Sequence, residues 1–157
     1  MKKLVVGTLA LATLGMMVIN GSTAQADTTK VEYSVEGDYT LVIPQTVNLL
    51  HDNTTEMSIK TINRNLAPNK EVEITISDGL SADGEIELQR TNSASDVLTS
   101  SIKSNNNPVS ITNPVIGSFT GYAMAETEVS KVEFGVPQGQ QLAGNYSTTL
   151  TFAAAYK

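Results

Sequence analysis

Apolar and polar residues alternate along most of the chain after residue 30. The alternation is longest at residues 144–157, where Tyr146, Leu150 and Phe152 share one parity and Ser, Thr and Ala dominate the other. Successive side chains of a β-strand point to opposite faces of a sheet. The pattern therefore predicts a long, half-buried β-strand over residues 144–157.

Shorter runs with the same alternation precede this segment. They lie at residues 30–36, 41–43, 56–60, 71–77, 85–89 and 131–136. Each run is apolar on one side and rich in β-branched residues, which is typical of antiparallel strands with one solvated face. Clusters of Asn, Asp, Gly and Pro separate the runs at intervals of roughly ten residues. The sequence predicts an all-β fold, an antiparallel immunoglobulin-like β-sandwich of about seven to nine strands.

The apolar parity of these runs predicts the hydrophobic core, because a half-buried strand turns one side inward. The predicted core residues are Val31, Tyr33, Leu41, Ile43, Ile59, Val72, Ile74, Ile76, Ile86, Leu88, Val132, Phe134, Leu150 and Phe152.

Residues 91–113 show a weaker pattern. They are rich in Asn, Ser and Thr and are interpreted mainly as a polar loop. Within them, residues 93–103 are the best helix candidate, since Val97, Leu98 and Ile102 would share one helical face. Residues 123–128 are a second candidate, for one short helical turn.

The first 26 residues have the features of a signal peptide. Lys2 and Lys3 precede an uncharged apolar stretch, residues 4–19, and Ala24 and Ala26 match the small residues of a cleavage site. We expect cleavage before Asp27, a single β-sandwich domain at residues 27–157, and a secreted or cell-surface location. We expect no membrane span in the mature chain.

Composition narrows the classes of function. Removing two lysines and no acid from ten basic and sixteen acidic residues leaves residues 27–157 with a net charge of −8. Nucleic-acid binding requires a basic surface, so nucleic acid is not an expected partner. The chain has no Cys, which excludes disulfides, thiol catalysis and zinc–thiolate sites.

Residues with catalytic or metal-binding chemistry are few. His51 is the only histidine, and no nucleophile motif accompanies it, so we predict no catalytic residue. Asp78, Asp83 and Glu85 crowd one segment, but their spacing does not match a calcium loop, and Asp-Gly pairs are common in turns. We therefore predict no metal and no cofactor. With five Tyr, three Phe and no Trp, the chain is also poor in platforms for sugar rings.

Two families resemble this chain. Residues 30–35 and 39–47 resemble the opening of small secreted β-sandwich proteins of Gram-positive bacteria. Those proteins end in an Ala-Gly-x-Tyr-x-x-x-Leu-x-Phe segment, matched here by residues 143–152. This resemblance covers both ends of the mature chain and implies an Ig-like surface or adhesion-related domain.

The chain also resembles chaperone–usher fimbrial subunits. Their last strand carries a glycine fourteen residues from its end, alternating apolar residues and a penultimate aromatic, as do Gly144, Phe152 and Tyr156 here. This resemblance implies assembly by β-augmentation, in which an N-terminal strand such as residues 29–35 completes a neighbouring subunit.

Three hypotheses of function follow. The first is a secreted, non-enzymatic structural or adhesion module whose partner is a surface protein or glycan. The second is a fimbrial subunit that self-assembles through edge strands. The third is a small secreted glycan-acting enzyme. Only three residues separate Val35 from Tyr39, which gives a detached strand little reach. We therefore expect residues 30–35 to pair within their own molecule, as in a self-contained sandwich.

Overall fold

The fold consists of β-strands joined by turns and loops. A computed structural model describes residues 30–157 of the chain, and within this range it contains eleven strands and no helix. The strands are β1 (Asp38–Val42), β2 (Thr55–Asn65), β3 (Glu71–Asp78), β4 (Glu85–Arg90), β5 (Ser93–Ser104), β6 (Asn107–Pro108), β7 (Val115–Thr120), β8 (Tyr122–Ala123), β9 (Thr127–Phe134), β10 (Tyr146–Ser147) and β11 (Thr151–Tyr156). The chain divides into two compact units, and all eleven strands belong to the unit Ser34–Lys157.

The strands form two antiparallel sheets. The larger sheet has eight strands, with the order β1-β2-β9-β5-β4-β10, and with β6 and β8 added to β5 and β2. The smaller sheet has the order β11-β3-β7. This arrangement confirms the predicted all-β antiparallel β-sandwich. β6, β8 and β10 have only two residues each, which leaves eight longer strands in the described chain.

Hydrophobic residues from both sheets form one core. Ile59, Ile74 and Val132 are fully buried, because alternate side chains of β2, β3 and β9 point into the space between the sheets. The prediction of burial is confirmed for Ile59, Val72, Ile74, Ile76, Ile86, Leu88, Val132 and Phe134. Leu41, Ile43, Leu150 and Phe152 are half-buried and pack against this core.

The prediction for residues 30–36 is wrong. Val31 and Tyr33 were expected in the core, but 89% and 91% of their surfaces are exposed. Residues 30–37 belong to no strand, so the expected pairing of residues 30–35 within the same molecule is not found. The alternation of residues 30–36 is compatible with a strand. A strand also needs a neighbouring segment with unpaired backbone N–H and C=O groups, and alternation gives no information about such a neighbour.

The helix predicted at residues 93–103 is also wrong. The segment forms β5, in which Leu98, Ser100, Ile102 and Ser104 are buried in alternation. Ser100 Oγ donates a hydrogen bond to the carbonyl oxygen of Gly135, at 2.7 Å. The two serines continue the inward-facing side of the strand because their hydroxyls find acceptors inside the protein.

Residues 123–128 do not form the predicted helical turn. Ala123 ends β8 and Thr127 begins β9, so the segment joins two strands of the larger sheet.

The predicted strand over residues 144–157 is interrupted at residues 148–150. β10 pairs with β4 in the larger sheet, and β11 pairs with β3 in the smaller sheet. The predicted parity is retained, since Tyr146, Leu150 and Phe152 are all half-buried. The interruption is the point where the chain passes from one sheet to the other.

The predicted signal peptide, residues 1–26, lies outside the described residues. In residues 30–157 no helix has the length and apolar character needed to cross a membrane.

Candidate functional site

An open groove with a volume of about 800 Å³ lies between the two sheets. Its floor is formed by buried apolar residues of the larger sheet, and Leu150 and Phe152 line it from the smaller sheet. The floor residues are Met57, Ile86, Leu88, Leu98 and Phe134. An apolar cleft with polar residues at its rim is a favourable place for binding, because a ligand's apolar groups leave water there.

One wall of the groove is the loop that contains Ala143 and Gly144, and Arg90 holds this loop in place. Arg90 donates one hydrogen bond to Asp96, at 2.8 Å, and a second to the carbonyl oxygen of Ala143, at 2.6 Å. The next residue, Gly144, has a φ of +148°, and a Cβ there would lie 2.8 Å from Arg90 Nε. Glycine therefore allows the backbone of the wall to lie close to the arginine.

The charge of Arg90 changes the acidity of its partner. The hydrogen bond from Arg90 is the largest cause that lowers the pKa of Asp96 from its ordinary value of 3.8, and a hydrogen bond from Ser93 lowers it further. Both donors favour the ionised carboxylate. The side chains of Arg90 and Asp96 are 29% and 25% exposed, so the pair is partly shielded from solvent.

A tyrosine strengthens the same wall. The hydroxyl of Tyr146 accepts a hydrogen bond from the backbone N–H of Leu142, at 3.2 Å, and donates one to the carbonyl oxygen of Leu142, at 3.1 Å. Tyr146 and Leu142 both line the groove. These two hydrogen bonds join Tyr146 to Leu142 within the same wall and fix the position of the exposed Leu142.

The opposite wall is formed by residues 44–50, which we call the strap. The strap joins β1 to the loop before β2 and belongs to no strand. Val47 and Leu49 are half-buried and pack against the core, while Asn48 between them is exposed. Val47 and Leu49 are therefore the strap side chains that contact the core, and both line the groove.

The last strand leaves one of its edges open. β11 lies at the edge of the smaller sheet, and its other side pairs with no strand of residues 30–157. An edge strand presents unpaired N–H and C=O groups that can accept another strand. Phe152 of this strand lines the groove, so an apolar cleft and an unpaired edge occur together.

His51 lies at the rim of the groove. Its side chain is 85% exposed, and Nδ1 lies 3.7 Å from Oδ1 of Asp52. His51 belongs to no strand and lies in the loop that precedes β2.

The three acids considered as calcium ligands lie in the turn between β3 and β4 or at its ends. Asp78 Oδ1 accepts a hydrogen bond from the N–H of Gly79, at 2.8 Å, as in an ordinary turn. In the described part of the chain, no three Asp, Glu or His residues are grouped closely enough to hold a metal ion.

Sequence reasoning did not find the groove. The floor residues are apolar, as core residues are. Their sequence pattern does not indicate whether the opposite sheet covers them. The strap did carry a signal, since Val47 and Leu49 alternate with polar residues after Pro44. Pro44 indicates only that a strand ends nearby, because proline has no N–H to donate to a neighbouring strand.

Comparison with known proteins adds no family. No protein-family model matches the chain, and a search of curated proteins finds none that matches it.

Proposed function

We propose that the protein is a secreted, non-enzymatic structural or adhesion module of the cell surface that binds its partner through the groove of its β-sandwich. The observation that carries this proposal is the groove itself, whose floor includes Leu88, Leu98 and Phe134. An apolar floor favours binding through burial of apolar surface. The open edge of β11 adds backbone groups that can bind an extended segment of a surface protein.

The test measures where the exported protein is found, with and without substitutions in the groove. The gene is expressed with residues 1–26 in a Gram-positive host, and the protein is measured in the cytoplasm, the cell-surface fraction and the medium. We expect recovery at the surface. The rim variant Leu142→Glu/Thr148→Glu should release the protein to the medium, because both residues line the groove and a charge there opposes apolar binding.

The matched control is Ser118→Glu, an exposed position of β7 that does not line the groove. It should leave surface retention unchanged. Retention in the cytoplasm, or equal surface retention of all three proteins, would contradict the proposal.

A second candidate is a fimbrial subunit, and one observation favours it. Val31, Tyr33 and Val35 alternate with polar residues, are 89%, 91% and 61% exposed, and lie outside every strand. Such a segment suits the open edge and groove of a neighbouring subunit.

The test of this candidate is deletion of residues 27–36. The full mature chain and the deleted chain are compared by light scattering and by electrophoresis with and without heating. A fimbrial subunit requires that the full chain form heat-resistant polymers while the deleted chain remains a folded monomer. A full chain that stays monomeric at high concentration would exclude this candidate.

A further inference from the structure

The lining of the groove differs in charge from the rest of the chain. Charged residues make up 17% of the sequence, yet none of the 24 described residues that line the groove is Asp, Glu, Lys or Arg. Arg90, which holds one wall from outside this lining, is paired with Asp96 at 2.8 Å. The groove therefore offers no opposite charge to an ionic ligand.

The floor of the groove is wide and consists of apolar side chains. Met57, Phe134, Leu98 and Leu88 come from β2, β9, β5 and β4, which are consecutive neighbours in the larger sheet. Neighbouring strands lie about 4.8 Å apart, so the floor is at least about 14 Å across. A zigzag alkyl chain advances about 1.25 Å for each carbon–carbon bond, so about twelve carbons span this width. Such a chain carries no polar group that would need a partner on the floor.

Two exposed leucines on the walls are held in position by hydrogen bonds. Leu50 is 50% exposed, and its N–H donates to the hydroxyl of Thr55, at 3.0 Å. Leu142 is 38% exposed and is bonded through its backbone to the hydroxyl of Tyr146. Both leucines line the groove. A ligand that covers their apolar surface gains free energy from burial, without first having to order either backbone.

The exposed rim of the groove is polar but uncharged. It includes the amides of Asn48 and Gln141 and the hydroxyls of Thr148 and Thr149, all of them exposed residues. Amide and hydroxyl groups both donate and accept hydrogen bonds, as the hydroxyl groups of a neutral head group do. The groove therefore combines an apolar floor with a rim that suits neutral polar groups.

We propose that the groove binds a single neutral lipid molecule, with its alkyl chain on the apolar floor and its hydroxylated head group at the rim. A groove volume of about 800 Å³ is typical of small-molecule sites. This inference rests on the proposed function, because it takes the groove as the binding site. It goes beyond that function by naming the chemical class of a ligand that needs no strand pairing at β11.

The test measures binding of octyl, decyl and dodecyl maltoside to the mature chain, residues 27–157, by titration calorimetry below the critical micelle concentrations. Each added CH₂ group that is buried on the floor should tighten the Kd by about fourfold. Maltose itself should not bind, since it has no alkyl chain. An affinity that does not depend on chain length would overturn the proposal.

A second series tests the preference for an uncharged ligand. Decanoate and decylammonium have the chain length of 1-decanol but carry opposite charges. Both should bind at least about tenfold more weakly than 1-decanol, because neither charge finds a partner in the groove. Tighter binding of either ion than of 1-decanol would overturn the preference for a neutral ligand.

A pair of variants locates the site. Leu50→Ser/Leu142→Ser should weaken binding of decyl maltoside by at least about tenfold, because both leucines lose their apolar contacts with the chain. The matched control is Val97→Ser/Ile111→Ser, two residues that are 37% and 54% exposed and do not line the groove. The control should bind like the wild type, and equal affinity of the two double variants would overturn the site. If circular dichroism shows that the first variant is unfolded, Leu142→Ser replaces it, with a smaller expected loss.

The outcomes separate this inference from the proposed function. If no alkyl compound binds while Leu142→Glu/Thr148→Glu still releases the protein from the cell surface, the groove binds another partner and only the lipid is wrong. If the alkyl compounds bind as expected while that variant stays at the surface, the lipid site stands and the proposed function fails.

Discussion

Ser130 donates a hydrogen bond from its side-chain hydroxyl to the backbone carbonyl oxygen of Ile116, on the opposite sheet. Ser104 donates to the same oxygen. Ile116 is the extra residue of a β-bulge, since Ile74 faces Gly117 and Thr75 faces Val115. The bulge removes the carbonyl from regular strand pairing, and the two buried hydroxyls satisfy it inside the core.

Removal of both hydroxyls should destabilise the sandwich more than removal of one. Ser130→Ala leaves Ser104 on the carbonyl and should cost about 1 kcal/mol of unfolding free energy. Ser104→Ala/Ser130→Ala leaves a buried carbonyl unsatisfied and should cost about 1–3 kcal/mol. Urea unfolding measures both, with the exposed Ser118→Ala as the control that should change little. Equal stability of the double variant and the control would show that the carbonyl has another partner.

Gly117 lies close to Ser130 because no side chain separates β7 from β9 at this point. A Cβ on Gly117 would lie 2.7 Å from Cβ of Ser130 and 3.1 Å from the carbonyl oxygen of Val129. Gly117→Ala should therefore lower the unfolding free energy by about 1–3 kcal/mol through overpacking.

A double-mutant cycle checks this cause. Ser130→Gly removes the nearest atoms, so Gly117→Ala should cost less in that background than in the wild type. Strictly additive losses would mean that the two residues do not compete for space.

Phe134 and Phe152 should differ in their contributions to the free energy of unfolding. Phe134 is 4% exposed, whereas Phe152 is half-buried and lines the groove. Phe134→Ala should cost about 3–5 kcal/mol through lost burial and the cavity left behind. Phe152→Ala should cost less, because its side chain keeps contact with solvent in the native state. Thermal and urea unfolding of the two variants test the order, and a larger loss for Phe152→Ala would contradict it.

The pair of Arg90 and Asp96 should make stability depend on pH. The pKa of Asp96 is lowered in the folded state, so the unfolded chain binds the proton first as the pH falls. The stabilisation is complete above the unfolded pKa and is lost as the pH falls through the folded pKa. The difference in stability between the wild type and Asp96→Asn should therefore stay constant from about pH 7 to about pH 5 and shrink as the pH falls to 3.8 and below.

The matched control for this titration is Asp83→Asn, which removes one acid from the turn between β3 and β4. Asp83 takes part in no salt bridge of residues 30–157. Urea midpoints across the pH range should show a steeper dependence for the loss of Asp96 than for the loss of Asp83. Parallel curves for the two variants would contradict the role of the ion pair.

The sequence by itself determined the fold class and most of the core. In β2, β3 and β9 the side-chain period of two is a local property of the extended backbone, and it selected Ile59, Ile74 and Val132 without knowledge of their neighbours. The turns between strands follow equally local rules, because Gly and Asn tolerate positive φ, as at Gly79 and Asn92.

The tertiary structure decided which strands had partners and which polar residues were buried. In β5, Ser100 and Ser104 looked like surface residues until acceptors from other strands were in place, and this hid the strand within an apparent helix pattern. Pairing between distant segments depends on both partners, so residues 30–36 alternate as a strand does but belong to none. The groove also depends on the tertiary structure. The sequence of its floor is like that of any hydrophobic core, and the groove exists only because of where β11 and the strap lie.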